Sequence, residues 1–116
     1  MIAIIAKRKL VIIESPYQAL NLIDHKANVE YARAAVRDSL LRGESPVAFH
    51  LLLTQPGILD DNVPEERRHG LEASLEWYAR ADLAAFYIDR GVSSGMKEGR
   101  AAAERFGVTI ERRSLV

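Results

Sequence analysis

The sequence predicts an α/β domain of three layers, with helices on both faces of a four- to five-stranded, mainly parallel sheet. Three observations carry this expectation. Apolar, partly β-branched runs at residues 10–14, 45–53 and 83–88 alternate with helical patterns. The runs lack polar alternation, as strands buried on both faces do. Proline, glycine, asparagine and aspartate punctuate the segments between them. The 116 residues suffice for one domain with a core and are too few for two. A single domain over residues 1–116 is expected, without repeats, linkers or low-complexity segments.

Residues 1–9 place an apolar stretch before a basic one, the reverse of a signal peptide and too short to span a bilayer. They read as an N-terminal arm or extra strand, able to pair with a neighbour. Leu10-Val11-Ile12-Ile13-Glu14 is the first strand, ended by Ser15-Pro16-Tyr17 because proline cannot continue a ladder. Residues 18–27 read as a loop or a short helical turn. Asn28 is the expected cap of the first helix, with Val29, Ala32, Val36 and Leu40 as its buried stripe and Gly43 after its end. Residues 45–53 form the expected second strand, with His50 towards its end.

Pro56-Gly57 and Asp60-Asp61-Asn62 mark a turn. Asn62 and Glu65 have capping-box spacing for the next helix. Leu71, Leu75, Tyr78 and Ala79 are its expected buried stripe, and Trp77 lies partly off it, towards a subunit neighbour. Leu83 to Ile88 is the third strand. A helix from about Ser94 to Phe106 follows, closed by Gly107, and Val108 to Glu111 is a short last strand. The order β-α-β-α-β-α-β implies parallel pairing and right-handed crossovers. This is a Rossmann-like arrangement, in which ligands bind outside the carboxyl ends of the strands.

Sixteen basic and sixteen acidic side chains cancel, which argues against a nucleic-acid polymer as partner. The chain has no cysteine, which excludes disulfides, thiolate chemistry and cysteine zinc sites, and fits a cytoplasmic setting. His25, His50 and His69 show no ligand spacing, so no metal is expected. No cofactor and no membrane partner are expected either.

Three segments should meet at the carboxyl edge of the sheet: residues 14–17, 50–55 and 89–96. Ser15, Pro16 and Tyr17 offer a hydroxyl and a phenol for a base or sugar, or else a packed strand terminator. Asn28 is first a cap, and can also face this edge. His50 and Gln55 lie in the second segment, where His50 reads as a packing residue or a polar contact. The acidic cluster Asp60, Asp61, Glu65 and Glu66 is explained by turn and helix-dipole duties. Asp89, Ser93, Ser94, Gly95 and Met96 are the strongest set. Asp89 can accept sugar hydroxyls, and the free N–H groups of a serine-capped helix start can meet an anion.

On the residues Glu14-Ser15-Pro16-Tyr17, Asn28, Tyr31-Ala32 and Asp82 through Asp89 to Ser94-Gly95-Met96, the chain resembles the nucleoside 2-deoxyribosyltransferase-like superfamily. The pattern Gly43-Glu44-x-Pro46, His50-Leu51, Thr54-Gln55-x-Gly57 and Ser94-Gly95-Met96 is similar to its short, often phage-encoded members. The resemblance implies a Rossmann-like fold, homodimers or larger homo-oligomers, and a nucleoside or nucleotide ligand. It also implies N-glycosidic cleavage by a glutamate nucleophile through an oxocarbenium-like state. Tyr17 matches the aromatic residue after the first strand, Asp89 the sugar-binding acid region, and Gly95 the glycine opening the last helix. The nucleophile belongs four residues after that glycine, where this chain has Gly99. Glu98 is one residue early, which turns it about 100° around the helix.

The expectation is therefore a binder of a nucleoside, nucleotide or nucleotide-derived ligand that lacks the usual nucleophile. The alternative is an N-glycosidase or deoxyribosyltransferase using Glu98, or Asp89 with Glu14.

Overall fold

The computed structural model describes residues 7–116. In chain order these form β1 (Leu10–Glu14), α1 (Leu22–Leu41), β2 (Ser45–Val47), α2 (Phe49–Leu52) and α3 (Pro64–Glu76). A 3₁₀ turn (Trp77–Arg80), β3 (Leu83–Tyr87), α4 (Ser94–Phe106) and β4 (Thr109–Arg113) follow. The sheet has four strands in the order β2-β1-β3-β4, and every pairing is parallel. This is the Rossmann-like three-layer α/β architecture. The arm or fifth strand expected over residues 1–9 falls mostly outside the described residues, and residues 7–9 form no strand.

Side chains alternate across a strand, and this sorts the core into two halves. Ile12, Ala84 and Phe86 face Tyr78, Met96, Ala102 and Ala103 on the 3₁₀ turn and α4. Val11, Ile13, Leu83, Ala85 and Tyr87 face Ala35 of α1. Each fully buried branched side chain here contributes roughly 1.5–3 kcal/mol. The small residues Ala84 and Ala85 at the sheet centre, with Ala35 and Ala103 opposite, are all fully buried. They let the helices approach closely without voids.

Helix α1 begins seven residues earlier than the sequence pattern indicates. Its cap is Asn21, whose Oδ1 accepts from the Asp24 amide at 2.8 Å. Leu22 and Ile23 in its first turn are exposed, so no buried stripe marks that turn. Asn28 is not a cap but lies buried inside the helix. The buried positions are Asn28, Ala32, Ala35 and Ser39, while Leu40 is exposed.

The second strand is shorter than expected. It stops at Val47, and Phe49–Leu52 turn into α2. A short apolar run does not distinguish strand from helix by periodicity. Here the helical turn lets Phe49 and Leu53 pack into one half of the core while Leu51 packs into the other. His50 thus sits in α2 rather than at a strand end. Helix α3 is capped by Val63 without a side-chain bond, so the Asn62–Glu65 capping box is not formed. Glu66 instead accepts from the Asp60 amide at 3.1 Å. Ala79 is exposed, and Trp77 stacks on Phe49 with ring centroids 5.6 Å apart. Strand β4 extends to Arg113, whose buried guanidinium forms a fork with Glu44 at 2.6 and 2.7 Å. That pair ties the last strand to the turn between α1 and β2. Among the described residues no helix is long and apolar enough to cross a membrane.

Candidate functional site

From β1 the chain crosses to β2 on one side, and β3 pairs on the other side of β1. The connections leaving β1 and β3 therefore diverge, which opens a crevice at the carboxyl ends of the strands. A cleft of about 210 Å³ lies there, walled by β1, α2, α3, the 3₁₀ turn and the start of α4.

Glu14 is the last residue of β1 and shares the face of Ile12, so it points to the α4 layer. Its carboxyl packs against the buried Gly99 of α4. A Cβ at position 99 would lie 2.8 Å from the Glu14 carboxyl carbon and 2.9 Å from the Tyr78 hydroxyl. No side chain fits at position 99 unless Glu14 and the Tyr78 hydroxyl move. The Tyr78 hydroxyl donates to Glu14 Oε2. Burial pushes the Glu14 carboxyl up to about 7, and the bond from Tyr78 opposes that rise. Burial, and then the charge of Glu14, push the Tyr78 phenol far above its ordinary range, so it stays protonated and donates.

A second polar group follows β1 directly. The buried Ser15 hydroxyl lies 2.8 Å from His50 Nε2. Burial pushes the His50 imidazole down to about 4, so it is neutral near pH 7. The Tyr17 ring meets His25 and His50 edge-on, with centroids 4.8 and 5.8 Å away. The Thr54 hydroxyl lies 2.7 Å from the Tyr17 hydroxyl and 2.6 Å from the His50 carbonyl.

The third group is the start of α4. Ser93 caps it, its Oγ accepting from the Met96 amide at 3.2 Å. Ser94 and Gly95 in that first turn line the cleft, and amides there have no intrahelical acceptor. Arg67 of α3 reaches the cleft from the opposite wall and donates to the Gln18 side chain.

Ser15, Tyr17, His50, Ser93, Ser94, Gly95 and Met96 thus come together around one cleft. Pro16 is buried between two of them without lining it. Asn28 lies behind the wall: Nδ2 donates to the Tyr17 carbonyl at 3.3 Å, and Oδ1 accepts from Arg90 Nε at 2.7 Å. Gln55 donates back to the Leu51 carbonyl at 3.0 Å and does not line the cleft. Asp89 faces the C-terminal tail instead. It accepts from the Tyr31 hydroxyl at 2.6 Å, the Leu115 amide at 2.8 Å and the Ser114 hydroxyl. Those donors, Ser114 first, hold its carboxyl below the usual carboxylate range. Glu98 is turned outward and pairs with Arg68 at 3.3 Å.

Sequence reasoning missed Tyr78 and Arg67, and weighed Glu14 only beside Asp89. Tyr78 reads as one more member of an apolar stripe. The available signal is that a buried tyrosine hydroxyl requires a partner, and that Glu14 shares the strand face of Ile12. Among the described residues no group of three or more histidine, aspartate or glutamate side chains is placed to hold a metal.

Residues 9–113 match the family described as domain of unknown function DUF7768. The chain belongs to that family. The DUF7768 match runs from β1 through β4 and so includes every wall of the cleft. No curated protein matches the chain.

Proposed function

We propose that the cleft binds a nucleoside, nucleotide or nucleotide-derived ligand. The observation that carries this reading is the composition of the cleft at the switch point of the sheet. Apolar and aromatic walls from Phe49, Leu53 and Tyr17 suit a flat base. The Glu14 carboxyl and the hydroxyls of Ser15 and Thr54 suit a sugar. The start of α4, with Arg67 opposite, suits a phosphate. The resemblance to the nucleoside 2-deoxyribosyltransferase-like superfamily supports the same ligand class, since Ser15, Tyr17 and Ser94-Gly95-Met96 all line this cleft.

Titration calorimetry with the four 2′-deoxynucleosides and their 5′-monophosphates tests the reading. Saturable one-to-one binding of at least one compound is expected. Arg67→Ala should weaken a monophosphate by about fivefold to tenfold more than its nucleoside, as loss of one charge-assisted contact does. Absence of binding by all eight compounds refutes the reading.

A second reading, N-glycoside cleavage, is favoured by one observation: the Glu14 carboxyl lines the cleft with the Tyr78 hydroxyl bonded to one of its oxygens, and its desolvation pushes its pKa up. We also propose a homodimer or larger homo-oligomer in a cytoplasmic setting. Leu20, Leu22 and Ile23 form an exposed apolar stretch beside the cleft, which a second copy would cover. Light scattering that gives only monomer at micromolar concentration counts against the oligomer.

A further inference from the structure

We propose that the cleft and a second hollow beside it form one site, which takes a nucleotide whose phosphate carries an uncharged polyhydroxylated group such as a sugar. The proposal rests on the nucleotide-binding reading above and extends its ligand class.

Size is the first observation. The cleft holds about 210 Å³, whereas pockets that enclose a small ligand run to roughly 300–1,000 Å³. A second, more open hollow of about 990 Å³ lies between the start of α1 and the loop before α3. The two share a wall made by Tyr17, Gln18, Thr54, Leu59 and Asp61. A ligand too long for the cleft passes this wall into the hollow.

Charge is the second observation. Consecutive residues of α3 divide between the two spaces: Arg67 lines only the cleft, and Glu66 only the hollow. Asp60 joins Glu66 in the hollow, and Asp61 lies on the shared wall. Among the described residues no lysine or arginine lines the hollow. A phosphate is thus favoured on the cleft side, at Arg67 and the start of α4, and disfavoured beyond the wall. The carboxylates beyond it accept hydrogen bonds from hydroxyls, and the Asn62 amide both donates and accepts. These acids are not placed to hold a metal.

The wall carries a latch. Arg67 donates to Gln18 Oε1, and Gln18 Nε2 donates to the Asp61 carbonyl at 3.0 Å. Gln18 therefore bars the junction, from the loop after β1 to the loop before α3. A phosphate offers the Arg67 guanidinium two charged oxygens in a fork, where Gln18 offers one neutral oxygen. Phosphate binding displaces Gln18 from Arg67 and frees the amide at the point where the ligand crosses.

The test titrates the full chain by calorimetry, adding the four 2′-deoxynucleoside 5′-diphosphates and their glucose esters to the eight compounds above. At least one glucose ester should bind about tenfold or more tighter than the diphosphate of the same base. Glu66→Gln keeps an acceptor for the Asp60 amide but loses the charge. It should weaken that ester by about fivefold, while the diphosphate binds no more weakly. Gln18→Ala removes the competitor for Arg67, and should tighten phosphorylated compounds by about threefold and leave nucleosides within about twofold. Thermal melts identify any variant that fails to fold. Asn62→Ala then replaces Glu66→Gln, with a loss of about threefold expected for the ester alone. Glucose esters that bind no tighter than their diphosphates overturn this proposal and leave the binding reading standing. Equal weakening of diphosphate and ester by Glu66→Gln places the sugar outside the hollow and also overturns it. Weaker binding of phosphorylated compounds by folded Gln18→Ala overturns the latch. Absence of binding by every compound overturns both readings.

Discussion

Replacing Glu14 with glutamine should stabilise the protein increasingly as the pH rises. The native carboxyl is pushed from its ordinary 4.5 to about 7 by burial. Below pH 4.5 it is protonated in the folded and unfolded chains alike and costs nothing. Between 4.5 and about 7 the unfolded chain gives up the proton that the folded chain keeps, so stability falls as pH rises. Above about 7 the folded chain carries a desolvated charge and the full penalty applies. The displacement corresponds to about 3 kcal/mol, and water in the cleft screens part of it, leaving about 1–3 kcal/mol. Glutamine keeps the shape and the bond from Tyr78 but never ionises. Urea unfolding of both proteins between pH 4 and pH 8 measures the difference. His50 slopes the opposite way, since its folded pKa of about 4 makes stability grow as pH rises towards 6.5. That slope is common to both proteins and cancels. The gap should be near zero at pH 4 and reach 1–3 kcal/mol at pH 8. A gap that stays constant across this range refutes the desolvated carboxyl.

Three further outcomes follow from the packing. Gly99→Ala should cost about 1–3 kcal/mol in urea unfolding despite the helix preference of alanine, and the cost should shrink in a Glu14→Ala background, where only the Tyr78 hydroxyl still crowds the new methyl. An equal cost in both backgrounds means that Glu14 is not the neighbour responsible. Arg113→Met should destabilise by about 3–5 kcal/mol, because the Arg113 side chain is only 2% exposed and Glu44 loses its partner. Adding Glu44→Gln should recover part of that loss, and a single-variant cost below about 1 kcal/mol contradicts the buried pair. Asp89→Asn should speed hydrogen exchange at the Leu115 amide while ligand affinity stays within about twofold. A tenfold loss of affinity places Asp89 in the site after all.

Much of the fold was legible because the central strands announce themselves. The runs at β1 and β3 are continuously apolar, and Ser93 and Gly107 bracket α4 with a cap and a left-handed stop at φ 69°. The first turn of α1 was not legible, since Asn21 caps a turn whose apolar residues face water. Neither was the switch from β2 to α2, because Phe49, Leu51 and Leu53 satisfy either element until the core around them exists. Local pattern records burial, and these segments are buried only in part or from two sides.

The sequence by itself determined the layer order, the parallel sheet and which segments meet at its carboxyl edge, because strand and helix periods and turn residues are local properties. It brought Ser15, Tyr17, His50 and the start of α4 to that edge. The tertiary structure alone decided which of Glu14, Asp89 and Glu98 lines the cleft. Asp89 and Glu98 stand near the strongest motif but are drawn to the tail and to Arg68. Glu14 is 85 positions before Gly99 in the chain, yet its carboxyl occupies the room that the glycine leaves. Such a pairing depends on strand register and helix packing across layers, which no spacing along the chain encodes.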